Sequence, residues 1–91
     1  MKYRFKASRG FWKSFLKLSE QQQTSAKATS KIFKANPFDP RLRSHKINSL
    51  SSYYGKTVYA VVIEGDLRAA FYVEGDVTFT VDIGSHAIYR V

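Results

Sequence analysis

The fold is decided by residues 57–91, TVYAVVIEGDLRAAFYVEGDVTFTVDIGSHAIYRV. Three runs in this stretch are rich in apolar residues, and the tripeptide Glu-Gly-Asp separates them at residues 64–66 and again at residues 74–76. Glycine next to aspartate between apolar runs is typical of tight hairpin turns, because glycine adopts the positive φ angles that such turns require. The stretch therefore predicts three consecutive antiparallel strands followed by a short polar tail.

Alternation along the last two strands predicts which residues share a face of the sheet. One face would carry Leu67, Ala69, Phe71, Val73, Val77, Phe79, Val81 and Ile83. The other would carry Arg68, Ala70, Tyr72, Thr78, Thr80 and Asp82. We therefore expect the apolar face to pack against helices, and the face with basic and aromatic side chains to stay open for binding.

The segment before residue 57 predicts a strand, two helices and a further short strand. Residues 2–6 alternate as a strand does, and Ser8 is placed to cap a first helix whose apolar stripe would be Phe11, Trp12, Phe15, Leu16 and Leu18. A second helix is expected over residues 22–35, with Ala28, Ile32 and Ala35 facing inward and Lys27, Lys31 and Lys34 facing outward. Residues 45–50 suit a short strand and residues 51–56 a loop. The whole pattern predicts an α+β fold in which a helical hairpin covers an antiparallel meander of three to four strands.

Composition limits the class of protein. A chain of 91 residues predicts one domain, residues 1–91, and 44% apolar residues suffice for its core. The absence of cysteine excludes disulfides and zinc–thiolate sites. No apolar run is long enough for a membrane span and no secretory leader is evident, so we expect a soluble, cytoplasmic protein without a membrane partner.

The charge balance favours an anionic partner. Fifteen Lys and Arg residues against seven Asp and Glu residues give a formal net charge of +8. Such an excess on a small domain attracts polyanions, nucleic acid first and an acidic protein second. A basic protein without such a partner is the remaining alternative.

Candidate chemistry centres on groups that could act without a cofactor. The sequence contains no nucleotide-binding or metalloprotease motif, and its two histidines are His45 and His86. Together with Lys46, Arg68, Tyr89 and Arg90 they fall at strand ends or on the open face. Metal-free RNA cleavage needs a base, an acid and cations around the phosphate, which these residue types supply. Binding of a phosphate backbone without catalysis is the alternative.

Three motifs in order resemble the RelE/ParE superfamily of toxins. GDLRAAFYV at residues 65–73 resembles the family's "GDYRvvY" strand, and DIGSHAIYR at residues 82–90 resembles its closing "v-IG-H-xx-Y" segment. NPFDPRLRSHKI at residues 36–47 is similar to the stretch after the second helix in the YafQ-like and RelE-like branches. The order of elements agrees as well.

The resemblance implies the toxin of a type II toxin–antitoxin system, usually an endoribonuclease that cuts mRNA at the ribosome and is neutralised by a cognate antitoxin. It implies catalytic roles for Arg68, His86, Tyr89, His45 and Asp66, and it relates Lys46 and Lys56 to the lysine pair of the RelE-like branch. Arg43 and Arg90 are further candidates for RNA binding. Val62 stands where the YafQ-like branch has another histidine. A ParE-like inhibitor of DNA gyrase and a homologue that binds an antitoxin without cleaving RNA are the alternative interpretations.

Overall fold

The structure is a computed structural model that describes residues 3–90. Within these residues a mixed sheet has the strand order β1-β5-β4-β3-β2. Its strands are β1 (Arg4–Ala7), β2 (His45–Lys46), β3 (Tyr59–Glu64), β4 (Leu67–Glu74) and β5 (Val77–Gly84). The helices are α1 (Arg9–Leu16), α2 (Glu20–Ala35) and α3 (Asn48–Tyr54), with 3-10 helices at Pro40–Leu42 and His86–Tyr89. The predicted α+β class and the antiparallel meander β3-β4-β5 are confirmed.

The N-terminal strand makes the sheet mixed and not wholly antiparallel. β1 pairs with β5 in parallel, with Arg4 opposite Val77 and Ala7 opposite Thr80. A parallel pair needs a crossover connection, and here the helical hairpin and the meander form that connection. Lys2 of the expected strand and Val91 of the expected tail lie outside the described residues.

The helical hairpin is set by two serine caps. The hydroxyl of Ser8 accepts a hydrogen bond from the backbone N–H of Phe11 at 3.0 Å, and Ser19 forms a capping box with Gln22 at the start of α2. These caps satisfy backbone donors that the first turn of a helix leaves unpaired. None of the helices in residues 3–90 has the length and apolar character that a bilayer crossing requires.

The inward faces of the two helices differ from the prediction. Phe11 and Phe15 pack on the core with Leu18, which lies beyond the end of α1, while Trp12 and Leu16 are 54% and 75% exposed. In α2 the inward residues are Ala26, Ile32 and Phe33, and the expected Ala28 and Ala35 are exposed. Two residues along a helix is a rotation of about 200°. A stripe through Ala26 and Phe33 therefore turns Ala28 and Ala35 towards solvent.

A β-bulge reverses the predicted faces of β5. The register shifts between Ala70 and Phe71, so that Ala70 lies opposite Asp82 and Phe71 lies opposite Thr80. Beyond the bulge Thr78 and Thr80 share the helix side with Phe71, while Phe79 stacks on Tyr72 on the second face. The prediction that Phe79 faces the helices and Thr78 and Thr80 the opposite side is therefore wrong. One extra residue in a strand inverts every side chain that follows it.

The second face of the sheet is partly covered and not open. Only His45 and Lys46 of the predicted strand 45–50 are extended, and most of the predicted loop 51–56 is helix α3. A second core forms under α3 from Ile47, Leu50, Val58, Ala60 and Ala70. Residues of the terminal 3-10 helix pack on its other side. On this face the side chain of Arg68 stays 24% exposed, and a groove remains between α3 and the segment 88–90.

Candidate active site

Two segments far apart in sequence meet at one end of the sheet through Asp66 and His86. Nδ1 of His86 lies 2.9 Å from Oδ2 and 3.0 Å from Oδ1 of the Asp66 carboxylate. Asp66 ends the tight turn between β3 and β4, where Gly65 has a φ of 48°. His86 opens the 3-10 helix that follows β5. The turn and the terminal helix are adjacent because β4 and β5 are paired along their length.

Gly84 lets the terminal helix fold back closely over the sheet. Gly84 lies opposite Arg68 at the end of β5. A Cβ atom at this position would lie 3.0 Å from Cγ2 of Ile88. Such a distance is too short for an ordinary carbon–carbon contact, which is about 3.5–4.0 Å. The glycine therefore allows the 3-10 helix to bring His86 and Tyr89 next to Arg68.

Arg68 lies between the carboxylate and the tyrosine. Its Nε is 3.6 Å from Oδ1 of Asp66, and its Nη1 is 3.5 Å from the hydroxyl oxygen of Tyr89. The Arg68 side chain is 24% exposed, and its buried Nε has no hydrogen-bond partner within residues 3–90. Buried donors are almost always paired. The Nε atom itself is shielded from solvent beside Asp66, so an anion would meet the terminal Nη groups of this partly exposed guanidinium.

Helix α3 fixes the end of the terminal segment. The hydroxyl of Ser49 donates a hydrogen bond to the backbone oxygen of Tyr89 at 2.7 Å. Ser85 caps the 3-10 helix by accepting from the N–H of Ala87 at 3.2 Å. The sequence pattern does not indicate Ser49 as a site residue, because it predicts a strand over residues 45–50. Its contact with Tyr89 depends on α3, and no motif in the sequence indicates it.

The electrostatics of the pair favour an oriented imidazole. The pKa of Asp66 is lowered, chiefly by its hydrogen bond with the His86 side chain. Desolvation raises this pKa, while the His86 backbone N–H and the positive charges of His86 and Arg68 lower it further. The carboxylate is therefore ionised at neutral pH and accepts from Nδ1–H. This bond fixes the tautomer of His86 and leaves Nε2 to exchange a proton with a bound group.

His45 is not part of this cluster. It lies in the edge strand β2, and its Nδ1 is 2.8 Å from the backbone oxygen of Arg43. Strands β3 and β4 separate β2 from β5, which places the two backbones about 14 Å apart at the usual strand spacing. Lys46 lies opposite Tyr59, whose ring stacks on Phe71, so Lys46 belongs to the helix side. The predicted roles of His45 and Lys46 stay predictions.

The other predicted RNA-binding residues are spread over the molecule. Lys56 pairs with Glu74 and lies 4.5 Å from the centroid of the Tyr72 ring. Glu74 is six residues along β4 from Arg68, a separation of about 20 Å. Arg43 is exposed and has a left-handed φ of 52°. Arg90 directly follows Tyr89 and lines a neighbouring groove.

Within the described part of the chain, no three His, Cys, Asp or Glu side chains lie close enough to hold a metal ion. The groups that the structure does bring together are one carboxylate, one imidazole, one guanidinium and one phenol. This set can bind a phosphate and move protons on either side of it.

Sequence comparisons find no family profile that matches the chain and no match among curated proteins. Comparison with solved structures does find matches. The archaeal RelE–RelB complex of Pyrococcus horikoshii OT3 contains a chain with a TM-score of 0.72 and 18% identity, and the alignment covers all of both chains. YafQ of E. coli strain BL21(DE3) has a TM-score of 0.73 and 17% identity, over 99% of this chain and 100% of that one.

A third match is the protein HP0894 of Helicobacter pylori, with a TM-score of 0.68 and 19% identity over 93% of this chain and 96% of that one. All three matches span nearly the whole chain, so the agreement covers the helical hairpin, the sheet and the terminal segment. The chain therefore has the fold of the RelE and YafQ toxins.

Proposed function

We propose that this protein is the toxin of a type II toxin–antitoxin system and that it cleaves mRNA at the ribosome without a metal ion. The observation that carries the proposal is the ionised Asp66 paired with His86 beside the incompletely bonded Arg68. The net charge of +8 supports an RNA substrate. The similar RelE and YafQ chains were solved in complexes with RelB and DinJ respectively, which supports an antitoxin as the protein partner.

The chemistry follows from the positions of the four side chains. Arg68 binds the scissile phosphate and stabilises the charge that develops on its oxygens. Asp66 holds His86 so that Nε2 accepts the proton of the 2′-hydroxyl, in the same relation as the carboxylate and histidine of a hydrolase triad. The 2′-oxygen then attacks phosphorus and the bond to the 5′-oxygen breaks. Tyr89 donates its proton to that oxygen, which leaves a 2′,3′-cyclic phosphate and a 5′-hydroxyl end.

The proposal is tested with a His86→Ala, Arg68→Ala double variant. We expect loss of growth inhibition on induction and loss of new mRNA ends in primer extension, because general acid–base catalysis alone contributes about 100- to 10,000-fold. Retained binding of the antitoxin would show that the variant is folded. A double variant that remains fully toxic would contradict the assignment of the active site. If such a variant, once purified, also blocked supercoiling by DNA gyrase, the ParE-like alternative would be correct.

A His45→Ala variant examines the remaining histidine in the same assays. Because His45 contacts Arg43 and is separated from β5 by two intervening strands, we expect the variant to keep most of the cleavage activity. A loss as large as that of His86→Ala would instead place His45 in the catalytic step.

A further inference from the structure

A groove lies next to the proposed active site, on the same face of the sheet. Its volume is about 280 Å³, and it runs between α3 and the segment 88–90. Ala70 of β4 and Val81 of β5 line it from the sheet, while Tyr53, Tyr54 and Arg90 line it from the sides. A recess of this size is at the small end of the range for ligand sites, large enough for one planar group and not for a folded peptide segment.

The α3 side of the groove is aromatic and unusually exposed. Tyr53 is 66% and Tyr54 is 38% exposed, and their rings meet edge to face with centroids 5.0 Å apart. The Tyr54 ring is also 6.3 Å from that of Tyr72. Burial is the main cause of a raised pKa for the Tyr54 hydroxyl, so this group stays protonated and can donate a hydrogen bond. Such rings form a surface on which another flat, polar-edged ring can stack.

The polar groups of the groove have opposite charges. Asp82 lines it, and only its Oδ1 receives a hydrogen bond within the described residues, from the backbone N–H of Ile83 at 2.9 Å. Arg90 is exposed on the other side. A carboxylate in the groove disfavours an acidic peptide but accepts from the amino group of a nucleobase. The guanidinium of Arg90 suits the phosphate attached to that nucleotide.

The groove begins where the active-site cluster ends. Ala70 follows Arg68 by two residues in β4, which is about 7 Å along the same face. Asp82 precedes Gly84 by two residues in β5, and Arg90 directly follows Tyr89. A strand whose phosphate lies on Arg68 therefore has a neighbouring nucleotide within reach of the groove.

We propose that this groove binds one unpaired base of the RNA strand, adjacent to the phosphate held by Arg68, and that it discriminates between bases. The base stacks on the exposed ring of Tyr53, against which Tyr54 packs edge to face, and directs its exocyclic amino group to Asp82. Cytosine, adenine and guanine carry such a group and uracil does not, so uracil is disfavoured. The inference rests on the proposed function, since it identifies where and how the substrate is selected.

The test of stacking uses short single-stranded oligonucleotides with 2′-O-methyl riboses, which bind but cannot be cleaved by attack of the 2′-oxygen. Fluorescence anisotropy compares the full chain with Tyr53→Ala, Tyr53→Phe and Tyr53→Leu. We expect affinity to fall at least about fivefold for the alanine and leucine variants and to be kept by phenylalanine, because base–aromatic stacking needs the ring. Trp12→Ala is the matched control, since Trp12 is 54% exposed on the other side of the sheet.

The test of discrimination compares 2′-O-methyl oligocytidine with 2′-O-methyl oligouridine. These bases differ at one position, where cytosine has an amino group and uracil a carbonyl oxygen. The unchanged protein should prefer cytidine, and Asp82→Asn should remove the preference, because an amide can donate as well as accept.

Each contrary result has a distinct meaning. Equal affinity of the unchanged protein and Tyr53→Ala, with RNA cleavage intact, would overturn the base-binding groove but leave the proposed function. Failure of the unchanged protein both to bind and to cleave RNA would overturn both. Displacement of the RNA by a glutamate-rich peptide with the same dependence on Tyr53 would assign the groove to an acidic protein.

Discussion

At the scale of single residues, the two identical turns of the meander have different partners. Asp66 in the first Glu-Gly-Asp turn pairs with His86 and approaches Arg68. Asp76 in the second turn pairs with Arg4 through contacts of 3.0 and 3.2 Å. The same tripeptide thus serves the proposed active site at one end of the sheet and ties β1 to β5 at the other. This duplication offers a matched pair of substitutions.

We expect Asp66→Asn to reduce the rate of RNA cleavage more than about tenfold, since it removes the carboxylate that orients His86. The effect should fall on kcat with little change in KM, since the orientation of the imidazole matters for proton transfer and not for binding. Asp76→Asn should leave both constants within a factor of two or so. Equal losses for the two variants would indicate a general effect on folding and contradict the orienting role.

Acid should destabilise the fold through three ion-paired carboxylates. The pKa values of Asp39, Asp66 and Asp76 are each lowered from 3.8, mainly by side-chain hydrogen bonds with Arg41, His86 and Arg4 respectively. A carboxyl group whose folded-state pKa is lowered stabilises the fold above its unfolded pKa, and this contribution disappears as the pH falls through the lower, folded value. The free energy of unfolding, measured by urea titration, should therefore decrease between about pH 4 and about pH 2.

The Asp76→Asn variant serves as the control for this prediction, because it should show a smaller decrease over the same pH interval. Stability that stays constant or rises on acidification would show that these pairs contribute nothing.

At the scale of elements, the bulge between β4 and β5 leaves one polar group in the core. Thr78 is fully buried, and its hydroxyl has no hydrogen-bond partner within residues 3–90. We expect Thr78→Val, which keeps the shape and removes the hydroxyl, to leave the free energy of unfolding unchanged or to raise it by up to about 1 kcal/mol. The half-buried Thr80 on the same strand provides the comparison, and Thr80→Val should change stability by less. A marked loss for Thr78→Val in urea titration would reveal a bond of this hydroxyl.

The meander could be predicted because each of its strands carries its own pattern and each turn its own glycine. The bulge could not, because a single extra residue leaves the alternation on either side of it intact. Thr78 and Phe79 both suit a strand, and only the position of Val81 relative to Ala70 decides which of them faces the helices. Pairing between strands is a property of two segments, and the pattern within one segment does not contain it.

Helix α3 was missed for a related reason. Its seven residues contain three serines and one buried leucine, Leu50, so they show no helical period. A helix this short is stabilised mainly by packing, here on Val58, Ala60 and Ala70. The one signal of this helix in the sequence is Gly55, because glycine commonly ends a helix in the left-handed conformation. Gly55 does so here, with a φ of 69°. Because the sequence pattern does not predict this helix, the contact of Ser49 and the tyrosine side of the groove could not be predicted either.

Of the proposed active site, the sequence could supply the residues but not their arrangement. Arg68, His86 and Tyr89 were identified from a resemblance and from their positions at strand ends. The Asp66–His86 bond depends on how the terminal helix folds back over Gly84, which the sequence pattern does not describe. His45 occupies the matching place in a motif, yet the sheet order puts it at the far edge.

At the scale of the whole molecule, the acidic residues are largely occupied. Within residues 3–90 four of the seven, Asp39, Asp66, Glu74 and Asp76, form ion pairs. The formal net charge of +8 is unaffected by this pairing and attracts a polyanion. We expect RNA affinity to fall steeply with salt, with log K decreasing by about 0.7 per log unit of salt for each phosphate contacted. Anisotropy titrations at several salt concentrations measure this slope.

Arg90→Ala should make that slope shallower by about one phosphate contact, since Arg90 is placed to meet the backbone beside the groove. Lys31→Ala, on the exposed side of α2, is the matched control and should change it less. A slope near zero for the unchanged protein would mean that RNA is not held by its phosphates.

The parallel pairing of β1 with β5 has a consequence for synthesis on the ribosome. Strand β1 can join the sheet only after Val77, the partner of Arg4 in β5, has been synthesised, because β5 lies between β1 and β4. At the usual rates of translation this interval is roughly 4–15 s. Until then neither Arg68 nor Asp66 has the terminal segment beside it. During that interval the nascent chain carries Asp66 and Arg68 without His86 and Tyr89, so the proposed active site cannot form.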